Sequence, residues 1–137
     1  LKPFQNAQET FYFPYTPYWH GMAALNAGAE LILTEGLKKS FARHEKVAKH
    51  CRRRIEEMGL TLFVEKGAVP SPTVTAVNVP ESTTWSELNA ALRERGMVVG
   101  GSYGPLHDKV FRLGHMGSQA NMKLMEKALD VLEEVVK

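Results

Sequence analysis

The stretch LKKSFARHEKVAKHCRRRIEEM, residues 37–58, restricts the possible folds of this sequence more than any other part of it. Leu37, Phe41, His44, Ala48, Cys51, Ile55 and Met58 recur at steps of three and four, which on a helical turn puts them on one face. Gly59 follows as the stop. Such a helix draws most of its stability from covering its apolar stripe, so the rest of the chain has to supply a matching surface. The opposite face carries Lys38, Lys39, Lys46, Lys49, Arg52 and Arg53, with Glu45, Glu56 and Glu57 among them. The whole chain has a net charge of only +2, so these cations read as a solvated face rather than a phosphate-binding stripe.

The covering surface is predicted from the runs on either side. WHGMAALNAGAELILT, residues 19–34, is rich in Ala and Leu and predicts a helix broken at Gly36. LTLFVE and TVTAVNV, after Gly59, have the β-branched and aromatic content of strands, and Pro80 closes the second. Thr84-Trp85-Ser86-Glu87 is a capping box that opens a helix running to about Arg95. MVVG and KVFRLG predict two further strands around the glycine-rich loop GSYGPLHD. Ser118 or Asn121 can start a last helix, with Met122, Met125, Leu129, Leu132 and Val136 on one face. The order helix, helix, β, β, α, β, β, α implies an α+β fold, a small, mostly antiparallel sheet covered by helices on one side.

Residues 1–18 are rich in proline and aromatic side chains without a clear period. They read as a connecting segment, and residues 19–137 as a small α/β sandwich domain. The chain opens on leucine rather than methionine, so the expectation is a preceding part that is missing. A single cysteine, Cys51, excludes an internal disulfide framework and suits a cytoplasmic setting. No apolar run approaches the roughly 20 residues of a membrane helix, and the weak charge gives no reason to expect a nucleic-acid or membrane partner. The histidines show no metal-ligand spacing, so no metal site is expected.

Two short stretches carry the chemistry worth weighing. In KVFRLGHMG, residues 109–117, Arg112 interrupts a strand. An arginine there faces solvent, pairs with an acid or points into a cavity. Gly114 and Gly117 follow it, and Gly100, Gly101 and Gly104 precede it, so backbone could approach a ligand closely. A guanidinium fork binds a carboxylate through two parallel hydrogen bonds, which makes a small anionic substrate reasonable. His115 is either a general base or a satisfied structural residue. FYFPYTPYW, residues 11–19, is the second stretch. Tyr15 and Thr16 carry hydroxyls between Pro14 and Pro17, and the segment is either an aromatic anchor or a phosphate or ring contact. No phosphate loop and no dinucleotide fingerprint is present.

Taken in order, YTP at 15–17, EGLKKSFARHEKVAKHCRRRIEEMGLTLF, SPTVTAVNVP at 71–80, VVGGSYGP at 98–105 and KVFRLGHMG resemble the C-terminal third of class V aminotransferases of the alanine–glyoxylate and serine–glyoxylate type. These are pyridoxal 5'-phosphate (PLP) enzymes of fold type I. The resemblance implies that Arg112 binds the substrate carboxylate and that the Gly100–Gly101 loop lines the substrate pocket. It implies that Thr16 reaches the cofactor phosphate of the neighbouring subunit of a homodimer. Phe13 stands where some relatives have a phosphate-contacting tyrosine, and Tyr15 could replace that hydroxyl. The cofactor-anchoring lysine would precede residue 1, in a large domain, so this chain alone would be inactive and contain no catalytic residue. The implied substrates are a small amino acid and a 2-oxo acid such as glyoxylate or pyruvate. Two other readings stand beside this one: another class V activity such as a lyase, or a non-catalytic domain that binds an acid or a protein. A desulfurase would need a mobile cysteine, which Cys51 on a helix face does not provide.

Overall fold

The computed structural model describes residues 5–13 and 15–137. Pro14, expected to hold Tyr15 and Thr16 extended, lies outside the described residues, as do residues 1–4 of the connecting segment. The chain divides into two compact units, Leu1–Leu37 and Lys38–Lys137.

The first unit contains a short helix α1, Ala7–Thr10, and the 17-residue helix α2, Trp19–Glu35. Between them Tyr15 and Thr16 lie on irregular, exposed backbone. None of α2's residues is buried, although Leu25, Leu31 and Leu33 are among them. Gly36, at φ +83°, ends α2 and lets the chain turn directly into the next helix.

The second unit is built on α3, Leu37–Glu57, whose first residue closes the first unit. Its stripe is covered from Val47 onward: Val47, Ala48, Cys51 and Ile55 are buried. Leu37 and Phe41, expected on the same face, are exposed, whereas Ser40 between them is buried. The basic face is solvated as expected; Lys49 lies 3.2 Å from Glu45 and Arg53 3.5 Å from Glu57.

The surface that covers α3 is a two-stranded antiparallel sheet with two more helices. Strand β1, Val74–Asn78, pairs with β2, Val110–Gly114, in the register Thr75 to Leu113, Ala76 to Arg112 and Val77 to Phe111. Helix α4, Trp85–Glu94, starts at the predicted capping box: the Glu87 N–H reaches the Thr84 hydroxyl and the Thr84 N–H reaches the Glu87 carboxylate at 2.9 Å. Helix α5, Met122–Val136, starts at Asn121, whose side-chain oxygen accepts the N–H groups of Lys123 and Leu124. Two of the four expected strands shrink to single bridges, Leu62 with Val77 and Gly100 with Arg112. The reason is local. A turn at 63–68 cuts LTLFVE short, and the glycine loop after MVVG leaves room for one paired residue only.

Alternation along the strands separates two faces. Thr75, Val77, Phe111 and Leu113 are buried against α3, α4 and α5, forming one core with Ile55, Leu88, Leu92, Leu129 and Leu132. Arg54 ties α3 to α5 at the edge of that core, donating to Glu126 at 2.6 Å and Glu133 at 2.9 Å. The other face presents Ala76, Arg112 and Gly114, half-buried or exposed. Helices α3, α4 and α5 therefore lie on one side of the sheet.

Candidate functional site

Arg112 is aimed by its own strand and by the loop before it. Its backbone N–H donates to the Gly100 carbonyl at 2.7 Å, and the Gly100 N–H donates back to the Arg112 carbonyl at 3.2 Å. This reciprocal pair places the 100–101 loop beside β2. The small residues Ala76 and Gly100 flank the arginine across the sheet.

The side chain then folds back onto the loop. Nε–H and Nη2–H both donate to the Gly101 carbonyl, at 3.0 and 2.6 Å. One edge of the fork is thereby anchored, while the Nη1–Nη2 edge turns away from that carbonyl. That edge retains the parallel N–H pair that a carboxylate needs. The Tyr103 ring lies alongside, 6.0 Å from the guanidinium carbon and strongly exposed.

Gly101 is itself confined. A Cβ added there would sit 3.0 Å from Cε2 and Nε1 of Trp85, closer than side chains normally pack. Trp85 in turn stacks on Phe111, with centroids 6.1 Å apart and planes 15° from parallel. The sequence marks Trp85 only as the residue after a helix cap, and Tyr103 only as part of a glycine loop. Their place beside Arg112 depends on pairing between distant segments, for which no local pattern exists.

His115 is part of the core rather than of this face. It is fully buried, with Nε2 2.8 Å from the Thr75 hydroxyl and its backbone N–H donating to the Thr73 carbonyl. Burial holds its imidazole below the ordinary histidine value. Because the unfolded chain then binds a proton at higher pH than the folded one, stability is full above about pH 6.5 and falls as the pH drops below it. The expected slope is at most about 1.4 kcal/mol per pH unit. Urea unfolding from pH 7.5 down to 5 checks this, and His115→Gln should flatten part of the dependence. An equal slope in both proteins would remove His115 as its source.

Cys51 is also fully buried, and burial pushes its thiol up, which suits packing rather than nucleophilic work. His44 is satisfied at both nitrogens: Nδ1 donates to the Ser40 carbonyl at 2.7 Å, and Nε2 accepts the Gly117 N–H at 2.9 Å. Among the described residues no three His, Cys, Asp or Glu side chains gather as a metal-ligand set. Among them no helix is long and apolar enough to cross a membrane. Tyr15 and Thr16 belong to the first unit and Arg112, Gly100 and Gly101 to the second.

Comparison with known proteins identifies relatives of the chain. The alanine–glyoxylate aminotransferase of Oryctolagus cuniculus is 38% identical over 117 residues, 85% of this chain and 30% of its own length. The solved alanine–glyoxylate aminotransferase from Nostoc sp. superposes with a TM-score of 0.84 at 31% identity, covering 92% of this chain and 33% of that one. Pyridoxamine–pyruvate aminotransferase from Mesorhizobium loti superposes with a TM-score of 0.86 at 33% identity, covering 90% and 32%. The chain thus spans about a third of the length of the relatives it matches. No protein-family model matches it.

Proposed function

The chain is a homologue of the class V, fold type I aminotransferases of the alanine–glyoxylate kind, and from that premise we propose that it is the carboxylate-binding part of a PLP-dependent transaminase. In the full-length protein an amino group would pass between an amino acid of the alanine or serine type and a small 2-oxo acid such as glyoxylate or pyruvate. The observation that carries the reading is the Arg112 fork, anchored on one edge by Gly101 and presenting the other.

The residues of this chain have distinct tasks in that reaction. Arg112 holds the carboxylate that donor and acceptor share, so the same grip serves both half-reactions. Gly100 and Gly101 keep that side of the pocket open to backbone approach. Tyr15 and Thr16 offer hydroxyl donors on exposed backbone, a set suited to phosphate oxygens. When bound, PLP supplies the carbonyl that exchanges for the amino group and a ring that takes up electron density. The lysine that anchors it is assigned to preceding chain, as are most contacts that choose among side chains. Residues 1–18 then connect that large domain to this one. Thr16 serving a neighbouring subunit makes the enzyme a homodimer, and a cytoplasmic setting suits the buried thiol of Cys51.

The test is a transamination assay on the full-length protein, with alanine or serine as donor and glyoxylate or pyruvate as acceptor. Amino transfer supports the reading; carboxylate binding without transfer would favour a non-catalytic domain. Thr16→Ala is expected to weaken PLP retention about tenfold, the worth of one hydrogen bond to a charged group. Unaltered retention on dialysis would count against a phosphate contact at Thr16.

A further inference from the structure

Trp85 has no part in the reading above. We propose that it is a positioning residue for Arg112: its indole fixes the Gly101 carbonyl that aims the guanidinium. This rests on Arg112 being the carboxylate-binding group.

Each link is a contact in the second unit. The Thr84 cap and the Glu87 carboxylate fix the backbone at the first turn of α4, where Trp85 sits. Phe111, fully buried, supports the indole from the core side at 15° from parallel. The free side of the indole meets Gly101, leaving 3.0 Å between Cε2 or Nε1 and the point where a Cβ would sit. Gly101 lies against the ring, and its carbonyl accepts both Nε–H and Nη2–H of Arg112. The orientation of the fork is therefore set by a wall on a helix start rather than by the loop alone. A glycine loop without that wall would let the carbonyl slide and the fork turn, and a small misplacement of a binding group costs substrate affinity steeply.

Gly101 also provides a clean probe. It is absent from the glycines with positive φ, so alanine suits its backbone, and the atoms nearest the added methyl all belong to the indole. In the full-length PLP-loaded enzyme, Gly101→Ala is expected to raise KM for both carboxylate substrates about tenfold, with kcat changed by less than about twofold. Trp85→Phe removes Nε1 and the second ring, and is expected to raise KM about threefold through looser seating. A double variant of Gly101→Ala with Trp85→Leu is expected to return to the Trp85→Leu value, because leucine vacates the ring positions that the added methyl meets.

Additive effects in the double variant would overturn the proposal, as would an unchanged KM in Gly101→Ala. So would losses of kcat that simply track a fall in melting temperature. Should Gly101→Ala fail to fold, Trp85→Phe compared with Trp85→Leu decides: a KM that rises as the ring shrinks supports the positioning role, and a constant KM overturns it. A wild-type enzyme whose KM ignores Arg112→Lys overturns the carboxylate reading and this proposal with it. An enzyme sensitive at Arg112 but not at Gly101 or Trp85 overturns only the proposal.

Discussion

Replacing Arg112 by lysine in the full-length enzyme is expected to raise KM for amino acid and 2-oxo acid alike by about 10- to 100-fold. The range corresponds to one charge-assisted hydrogen bond of about 1.5–3 kcal/mol lost from a bidentate pair. Lysine keeps the charge but presents a point donor on a flexible stem, so it can neither rest on the Gly101 carbonyl with two parallel N–H groups nor face a carboxylate with two more. Both half-reactions use the same grip, so both KM values should move together. A change confined to one substrate would mean that Arg112 reads a side chain instead. Unchanged constants for both would take it out of the site.

That prediction could be drafted from the sequence, but its geometry could not. The helices were legible because each carries its own signal: a stripe of three- and four-residue steps in α3, a capping box for α4, Asn121 before α5. Strand β1 was legible from a β-branched run and β2 from a short, largely apolar one. The outer two were over-read, since composition tells that a run can pair but not for how many residues before a turn intervenes. Leu37 and Phe41 lie on the apolar face of α3 yet are exposed. Periodicity says which residues share a face and nothing about where the covering surface stops. At the candidate site, an arginine within a strand and the glycines near it stood out. Trp85 did not, because its importance arises only where α4, the 100–101 loop and β2 converge, three segments with no mark of their proximity in the chain.

Phe111 is the residue at which the fold and the site meet, and Phe111→Ala is expected to be the most destabilising of these substitutions, at about 3–5 kcal/mol. The ring is fully buried in the core between β2 and the helices, next in sequence to Arg112 and stacked beneath Trp85. Its removal opens a cavity that the rigid strand pairing around Val77 cannot collapse to fill. Set against a total stability of roughly 5–15 kcal/mol for a domain, that loss is severe. Urea unfolding of the full-length protein would show it as a lowered midpoint for the transition of this domain. Phe111→Leu keeps most of the volume and should cost less than about 1.5 kcal/mol, though it withdraws the flat support from the indole. The comparison separates packing from positioning. If Phe111→Leu folds well yet raises KM, the ring acts on Arg112 through Trp85; if KM is unmoved while stability falls, Phe111 belongs to the core alone.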